Sequence, residues 1–239
     1  MSPDNPPMTT TTMNLTDPTR CMLCSKPHEQ TEEHPTCPEC EALPEIDAEA
    51  AEDYRARERA EARERLWRDK VPKEYRNTDP ALLLPRAAEL FPRVGNWDFK
   101  TGKGLTLIGP TGHGKTRLAV RAMRAAFDTG ASVSILRAAE VRMKLWESFA
   151  GASKLVAQAT KPQVLLFDDL GQGATSEQID EVTLAILEAR TADGKPTLTT
   201  TQFSDVRLIQ RFHRVETGEA IVRRCGLQFA TILNLTPKP

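Results

Sequence analysis

Aromatic residues are scarce in this chain. Phe, Trp and Tyr supply 5% of 239 residues, against 39% for all apolar types, which suffices for one α/β core with polar segments left over. No run of 18 or more apolar residues occurs, so no membrane-spanning helix is expected. An excess of one charge is also missing: 32 Lys and Arg stand against 33 Asp and Glu, a net charge of −1. A chain so balanced does not hold nucleic acid through bulk charge, although local basic faces stay open. The first twenty residues, MSPDNPPMTTTTMNLTDPTR, lack the basic-then-apolar layout of a secretion signal and read as a disordered Pro- and Thr-rich tail. The five cysteines are then expected in a reducing cytoplasm, where metal binding is commoner than disulfides.

Four of those cysteines form two C-x2-C pairs, Cys21 with Cys24 and Cys37 with Cys40. Each pair presents two thiolates to one ion, and two pairs complete a tetrahedral Zn2+ site. A segment spanning 21–45 with almost no apolar residues needs a metal to fold. His28 and His34 fall between the pairs and are placed outside the four-thiolate shell. A closed shell is structural, so the segment reads as a recognition module. Its Glu29, Glu32, Glu33, Glu39 and Glu41 outnumber Arg20 and Lys26, which favours a protein partner over phosphates. Residues 46–71 follow as a linker helix rich in Ala, Glu and Arg. Glu61 with Arg65 and Glu64 with Arg68 take the favourable i, i+4 spacing, and apolar residues are too sparse for a buried face.

From 72 to 239 strand and helix patterns alternate. GLTLIG, SVSILR, PQVLLFDDL, PTLTTTQ and LQFATILNL read as strands. Helices are expected from Lys115 to Phe127, over AAEVRMKLWESFAG, over SEQIDEVTLAILEAR and over DVRLIQRF. That order predicts an α/β domain with a central parallel sheet and helices on both faces.

Within it, GPTGHGKT follows an apolar strand and opens an amphipathic helix, as a phosphate-binding loop requires. The expected nucleotide contacts are Gly109, Pro110, Thr111, Gly112, His113, Gly114, Lys115, Thr116 and Arg117, with His113 at a free, solvent-facing position. Glycines let N–H groups converge on phosphate oxygens at the positive end of a helix. Lys115 reaches the outer phosphates of ATP, and Thr116 places its hydroxyl on Mg2+. After the apolar run Val164–Phe167, Asp168 is expected to hold Mg2+ and Asp169 to orient or deprotonate the attacking water. Acids past a buried strand also serve as turn residues. A pair of them downstream of a phosphate loop fits that plainer role badly. Thr201 and Gln202 end the fourth strand beside the expected γ-phosphate, while Arg223 and Arg224 precede the last strand, where an arginine can complete a neighbouring subunit's site. Taken alone, a strand-end amide satisfied by solvent explains Gln202 as well, and an arginine pair is more often simply solvated.

VPKEYRNTD, GPTGHGKT, VLLFDDLG, SEQIDEVTLAILEAR, PTLTTTQFSD and AIVRRCG together resemble the AAA+ domain of DnaC/DnaI-type helicase loaders and of the related IstB-type transposition ATPases. The resemblance runs from about Val71 to Leu235. It implies that GPTGHGKT is a Walker A motif, FDD a Walker B motif, Gln202 or Thr201 sensor 1, and Arg224, in preference to Arg223, an arginine finger. It further implies self-association into a ring or spiral, single-stranded DNA near its channel, and a replicative helicase as partner. Arg137, Arg142 and Lys144 are DNA-contact candidates outside the motifs. Asp169 departs from the Glu of most AAA+ proteins; Gln202 departs from the Asn of loaders and is closer to IstB-like sequences. No helical lid is expected after the last strand. The resemblance thus implies an ATPase that loads a helicase, with IstB-like assistance to a transposase as the alternative. A phosphotransferase or a non-hydrolysing adaptor leaves Arg224 or Asp169 without a role.

Overall fold

The computed structural model describes residues 48–77, 79–147, 151–226 and 228–236. The expected zinc ligands Cys21, Cys24, Cys37 and Cys40 lie outside the described residues. The chain divides between Glu61 and Ala62, inside helix α1 (Ala48–Lys70). From Glu52 to Glu61 every side chain is exposed, as a solvated helix requires.

The end of α1 departs from that expectation. Trp67 and Val71 are each 1% exposed. The Trp67 ring lies 5.3 Å from that of Phe127, and the Arg124 guanidinium sits 5.1 Å over it. Glu64 pairs with Arg124 at 2.8 Å. A single large aromatic leaves no apolar period for sequence reading to detect, yet it anchors the last turns of the helix to the domain.

Five parallel strands form one sheet in the order β2-β3-β4-β1-β5. They are β1 (Gly104–Ile108), β2 (Val133–Arg137), β3 (Val164–Asp168), β4 (Thr197–Thr201) and β5 (Ala230–Asn234). All five were legible as apolar or β-branched runs. Side-chain alternation splits β3 between two cores. Val164 and Leu166 join Leu90, Val94, Leu118 and Met123, on the face covered by α2 (Pro85–Gly95) and α3 (Lys115–Asp128). Leu165 and Phe167 join Val141, Leu155, Ile186 and Ile221, on the face of α4 (Ala138–Glu147), α5 (Gly151–Thr160), α6 (Glu177–Ala192) and α8 (Val215–Cys225). A short α7 (Asp205–Ile209) links β4 to α8. With strands buried on both faces, this is the layered parallel sheet of α/β proteins.

Three helices escape the sequence reading. Pro85 and Pro92 punctuate α2; the first suits a helix start, and the second mimics a breaker. Where a single helix is expected over 138–151, the structure describes α4 to Glu147 and α5 from Gly151, the latter burying Leu155 and Ala159. For α8 the buried Ile221 and Cys225 sit among charges that read as surface.

Candidate nucleotide site

The site lies where β1, β3 and β4 end. Gly109 donates its N–H to the Thr201 carbonyl at 3.2 Å, tying the loop to β4. Gly112 and Gly114 hold φ of 80° and 84°, a conformation that favours residues without a Cβ. Nothing lies within 4 Å of where a Gly112 side chain would stand. Gly114 caps α3 with no side-chain hydrogen bond to the helix start, so its first N–H groups are left for an anion.

Lys115 is 6% exposed, and its ammonium donates to the Pro110 carbonyl at 2.8 Å. Burial lowers its pKa, against the opposing pull of Asp169 and Asp168. The Thr116 hydroxyl donates to Asp168 Oδ1 at 2.9 Å, across 52 positions of sequence. Asp168 is only 2% exposed. Asp169 stands beside it at φ 59°, its carboxyl pushed above the ordinary aspartate value by burial and then by Asp168, with Lys115 and Arg137 opposing. This donor set matches a triphosphate with a divalent cation: a cradle of N–H groups, one ammonium and a buried hydroxyl–carboxylate pair.

Gln202 joins the cluster, accepting from the Thr111 hydroxyl at 3.0 Å. Thr201 does not, because its hydroxyl donates to the Leu170 carbonyl at 2.9 Å inside the fold. His113 is half-buried, with Nδ1 3.1 Å from the Thr111 carbonyl oxygen, and so is less solvent-facing than expected. Arg117 turns away from the loop and donates to the carbonyls of Asn77 and Glu74. Arg224 is remote. It donates to Glu188 and to the Ala220 carbonyl and lines a cavity of about 260 Å³ with Lys103, Lys195 and Thr197, at the starts of β1 and β4. Arg223 beside it is exposed and makes no ion pair among the described residues. Of the expected DNA contacts, Arg137 faces Glu74 at 3.6 Å, and Arg142 donates to the Gln172 carbonyl.

One participant was missed, and one tyrosine lies near the acids. Thr200 is fully buried and serves both acids, donating to Asp168 Oδ1 at 2.6 Å and accepting the Asp169 N–H at 2.9 Å. The run of three threonines at 199–201 was its signal. Tyr75 is half-buried, and its phenol is raised by burial and by the neighbouring charges of Glu74, Asp168 and Asp169. Thr200→Val keeps the shape of the side chain but strips both contacts. We expect it to cost about 1–3 kcal/mol of unfolding free energy, read from urea titration. A change below about 0.5 kcal/mol would show that neither bond matters to the fold.

Known proteins share this fold. The DnaC helicase loader superposes with a TM-score of 0.56 at 25% identity, covering 68% of this chain and 99% of that one. DnaI gives 0.57 at 25%, covering 69% and 94%. Domain III of the Thermotoga maritima replication initiation protein DnaA gives 0.53 at 15% over 71% and 70%, a likeness of fold alone. No curated protein matches the chain. No helix among the described residues is long and apolar enough to cross a membrane. The model of the family described as IstB-like ATP binding protein matches residues 96–226, which include the phosphate loop, both acids, Gln202 and the α8 arginines. On an AAA+ fold shared with DnaC and DnaI, the chain belongs to the IstB-like ATP-binding proteins.

Proposed function

We propose that the chain is an ATPase that loads a replicative DNA helicase onto single-stranded DNA, with nucleotide as its assembly and release switch. The observation that carries this is the span of the likeness to the DnaC helicase loader, which takes in almost the whole of that chain. Bound ATP would supply the phosphoanhydride, and Mg2+ would neutralise charge at its phosphates. The N–H groups of Gly112 and Gly114 and the Lys115 ammonium bind phosphate. Thr116 Oγ1 and Asp168 hold the cation. The Asp169 carboxylate takes the proton of the attacking water, and Gln202 orients that water. An α8 arginine completes the site of a neighbouring subunit in a ring or spiral. Arg224 must release Glu188 to do so; Arg223 needs no such exchange.

We assign residues 1–20 as a tail, 21–45 as a zinc module, 46–71 as a linker helix and 72–239 as the ATPase, with the last turns of the linker helix packed onto the ATPase through Trp67. Cys21, Cys24, Cys37 and Cys40 would hold Zn2+ in a module that grips the helicase. Single-stranded DNA meets α4, where Lys144 is exposed and Trp146 is 92% exposed. An exposed indole offers a stacking platform for unpaired bases, and Lys144 adds positive charge to the same helix. Trp146→Ala is expected to weaken binding of a single-stranded oligonucleotide roughly tenfold, measured by fluorescence anisotropy.

The family match favours one other role, an IstB-like ATPase that remodels duplex DNA and assists a transposase. The two part on the nucleic acid they answer to. Loader activity predicts ATP turnover stimulated by single strands and indifferent to duplex of equal length, and the reverse preference would hand the protein to transposition.

A further inference from the structure

Two arginines from different elements grip the short loop that follows Asp169. Arg142, on α4, donates from Nη1 to the carbonyl of Gln172. Arg211, just past α7, donates from Nε to the Gly171 carbonyl at 3.0 Å and from Nη2 to the Gly173 carbonyl at 2.7 Å. Three successive carbonyls are thereby held by two cations, neither of which has a carboxylate partner among the described residues. The fit is close. A Cβ at Gly173 would meet the Arg142 guanidinium carbon at 2.7 Å.

From this loop the bonds run straight into the acids. Gln172 N–H donates to the Asp169 carbonyl at 3.0 Å, and Leu170 N–H to the Thr200 carbonyl at 2.8 Å. Asp169 is the sole non-glycine residue at positive φ among the described residues. Such a conformation persists only where its surroundings over-determine it. Arg211 also stacks over the Phe203 ring at 5.2 Å, one residue beyond Gln202, so its grip joins the β4 end to the same loop.

We propose that Arg142 and Arg211 are positioning residues for Asp169, a clamp through which α4 sets the carboxylate in or out of place. The proposal rests on the ATP-hydrolysing function above and on α4 as the element that meets DNA. Met143 and Trp146 flank Arg142 on the outer surface of α4, 63% and 92% exposed. A helix moves as one body, so a ligand that displaces its outer surface displaces Arg142 with it. Arg142 therefore faces the catalytic loop rather than a phosphate, and its contribution to DNA response is indirect.

The test uses the full chain with Arg142→Gln, Arg142→Lys and Arg211→Gln. Three quantities are read: affinity for a fluorescent non-hydrolysable ATP analogue, ATP turnover with and without a single-stranded oligonucleotide, and amide hydrogen exchange across 169–173 without nucleotide. Arg142→Gln and Arg211→Gln are expected to hold analogue affinity within about twofold while kcat falls about tenfold at constant KM. Exchange across 169–173 should quicken about tenfold, oligonucleotide stimulation should vanish in Arg142→Gln, and Arg142→Lys should recover part of both effects. Unchanged exchange across 169–173 overturns the clamp, as does faster exchange with wild-type kcat and stimulation. Analogue affinity that collapses together with kcat overturns it too, by marking a general structural defect. A wild-type chain with no turnover at all would sink the ATPase function instead. Exchange and analogue affinity would then still decide the clamp: quickened exchange confined to 169–173 supports it, and unchanged exchange ends it.

Discussion

Asp169→Asn is expected to bind ATP as the wild-type chain does and to lose turnover by about a hundredfold or more, the usual effect of removing a proton acceptor from a reacting water. The expectation follows from position. Asp168 is engaged by the Thr116 and Thr200 hydroxyls at 2.9 and 2.6 Å, which commits it to holding rather than to proton transfer. Asp169 has its backbone N–H fixed on Thr200, and no side-chain bond to its carboxylate is found among the described residues. Burial and the neighbouring Asp168 raise its pKa, which favours proton acceptance over permanent ionisation. Its side chain is one methylene shorter than Glu, so wild-type turnover should itself be slow, as a switch requires. Binding is checked by titration with a fluorescent analogue and turnover by phosphate release. Turnover within threefold of wild type would mean that Asp169 does no chemistry and would favour a nucleotide-holding adaptor.

Arg190→Ala carries the largest expected loss of stability. Arg190 is fully buried, and all its bonds go to neutral acceptors. It donates to the carbonyls of Ala159 and Pro162 from Nη1, to those of Gln163 and Pro196 from Nη2, and to Thr197 Oγ1 from Nε. Burial pulls its pKa down to about 10, so it remains charged at neutral pH. One side chain thereby fixes the turns that lead into β3 and β4, the two strands whose ends hold Asp168 and Thr200. Alanine leaves a cavity and several buried carbonyls short of a donor, a cost of about 3–5 kcal/mol. Against a typical total of about 5–15 kcal/mol, much of the variant should be unfolded in mild urea. Lysine offers three donors from a point charge in place of a planar fork of five and should recover a minor part. A loss below about 1 kcal/mol on alanine substitution would show the network to be dispensable.

The candidate site is legible in the sequence where its residues are contiguous. The phosphate loop needs its glycines, Lys115 and Thr116 within one turn, and Asp168 and Asp169 must close an apolar strand; each requirement is a local pattern. The five strands were legible for the same reason. What depended on register was hidden. Thr200 meets Asp168 because β3 and β4 pair Leu166 with Leu198 and Phe167 with Thr199, a fact carried by no single segment. Arg190 reads as an ordinary last-turn arginine of a helix, and only the approach of two loops makes it a buried hub. Arg142 looked like a surface cation on a DNA-facing helix until α4 was set against the loop after Asp169. Trp67 was lost in a helix of charges, and the prolines of α2 spoke against a helix that exists. The α8 arginines show the converse: the pair was visible, but the engagement of Arg224 with Glu188 was not.

Retention of a replicative helicase on the immobilised chain, with ATP and zinc present, is the measurement to make first. The wild-type chain should hold the helicase and carry about one zinc per molecule, and Cys37→Ser with Cys40→Ser should lose both. Asp169→Asn should hold the helicase longer than wild type does, since release is assigned to hydrolysis. A wild-type chain that binds and hydrolyses ATP yet retains no helicase would contradict the loader function and leave the duplex-remodelling alternative in its place.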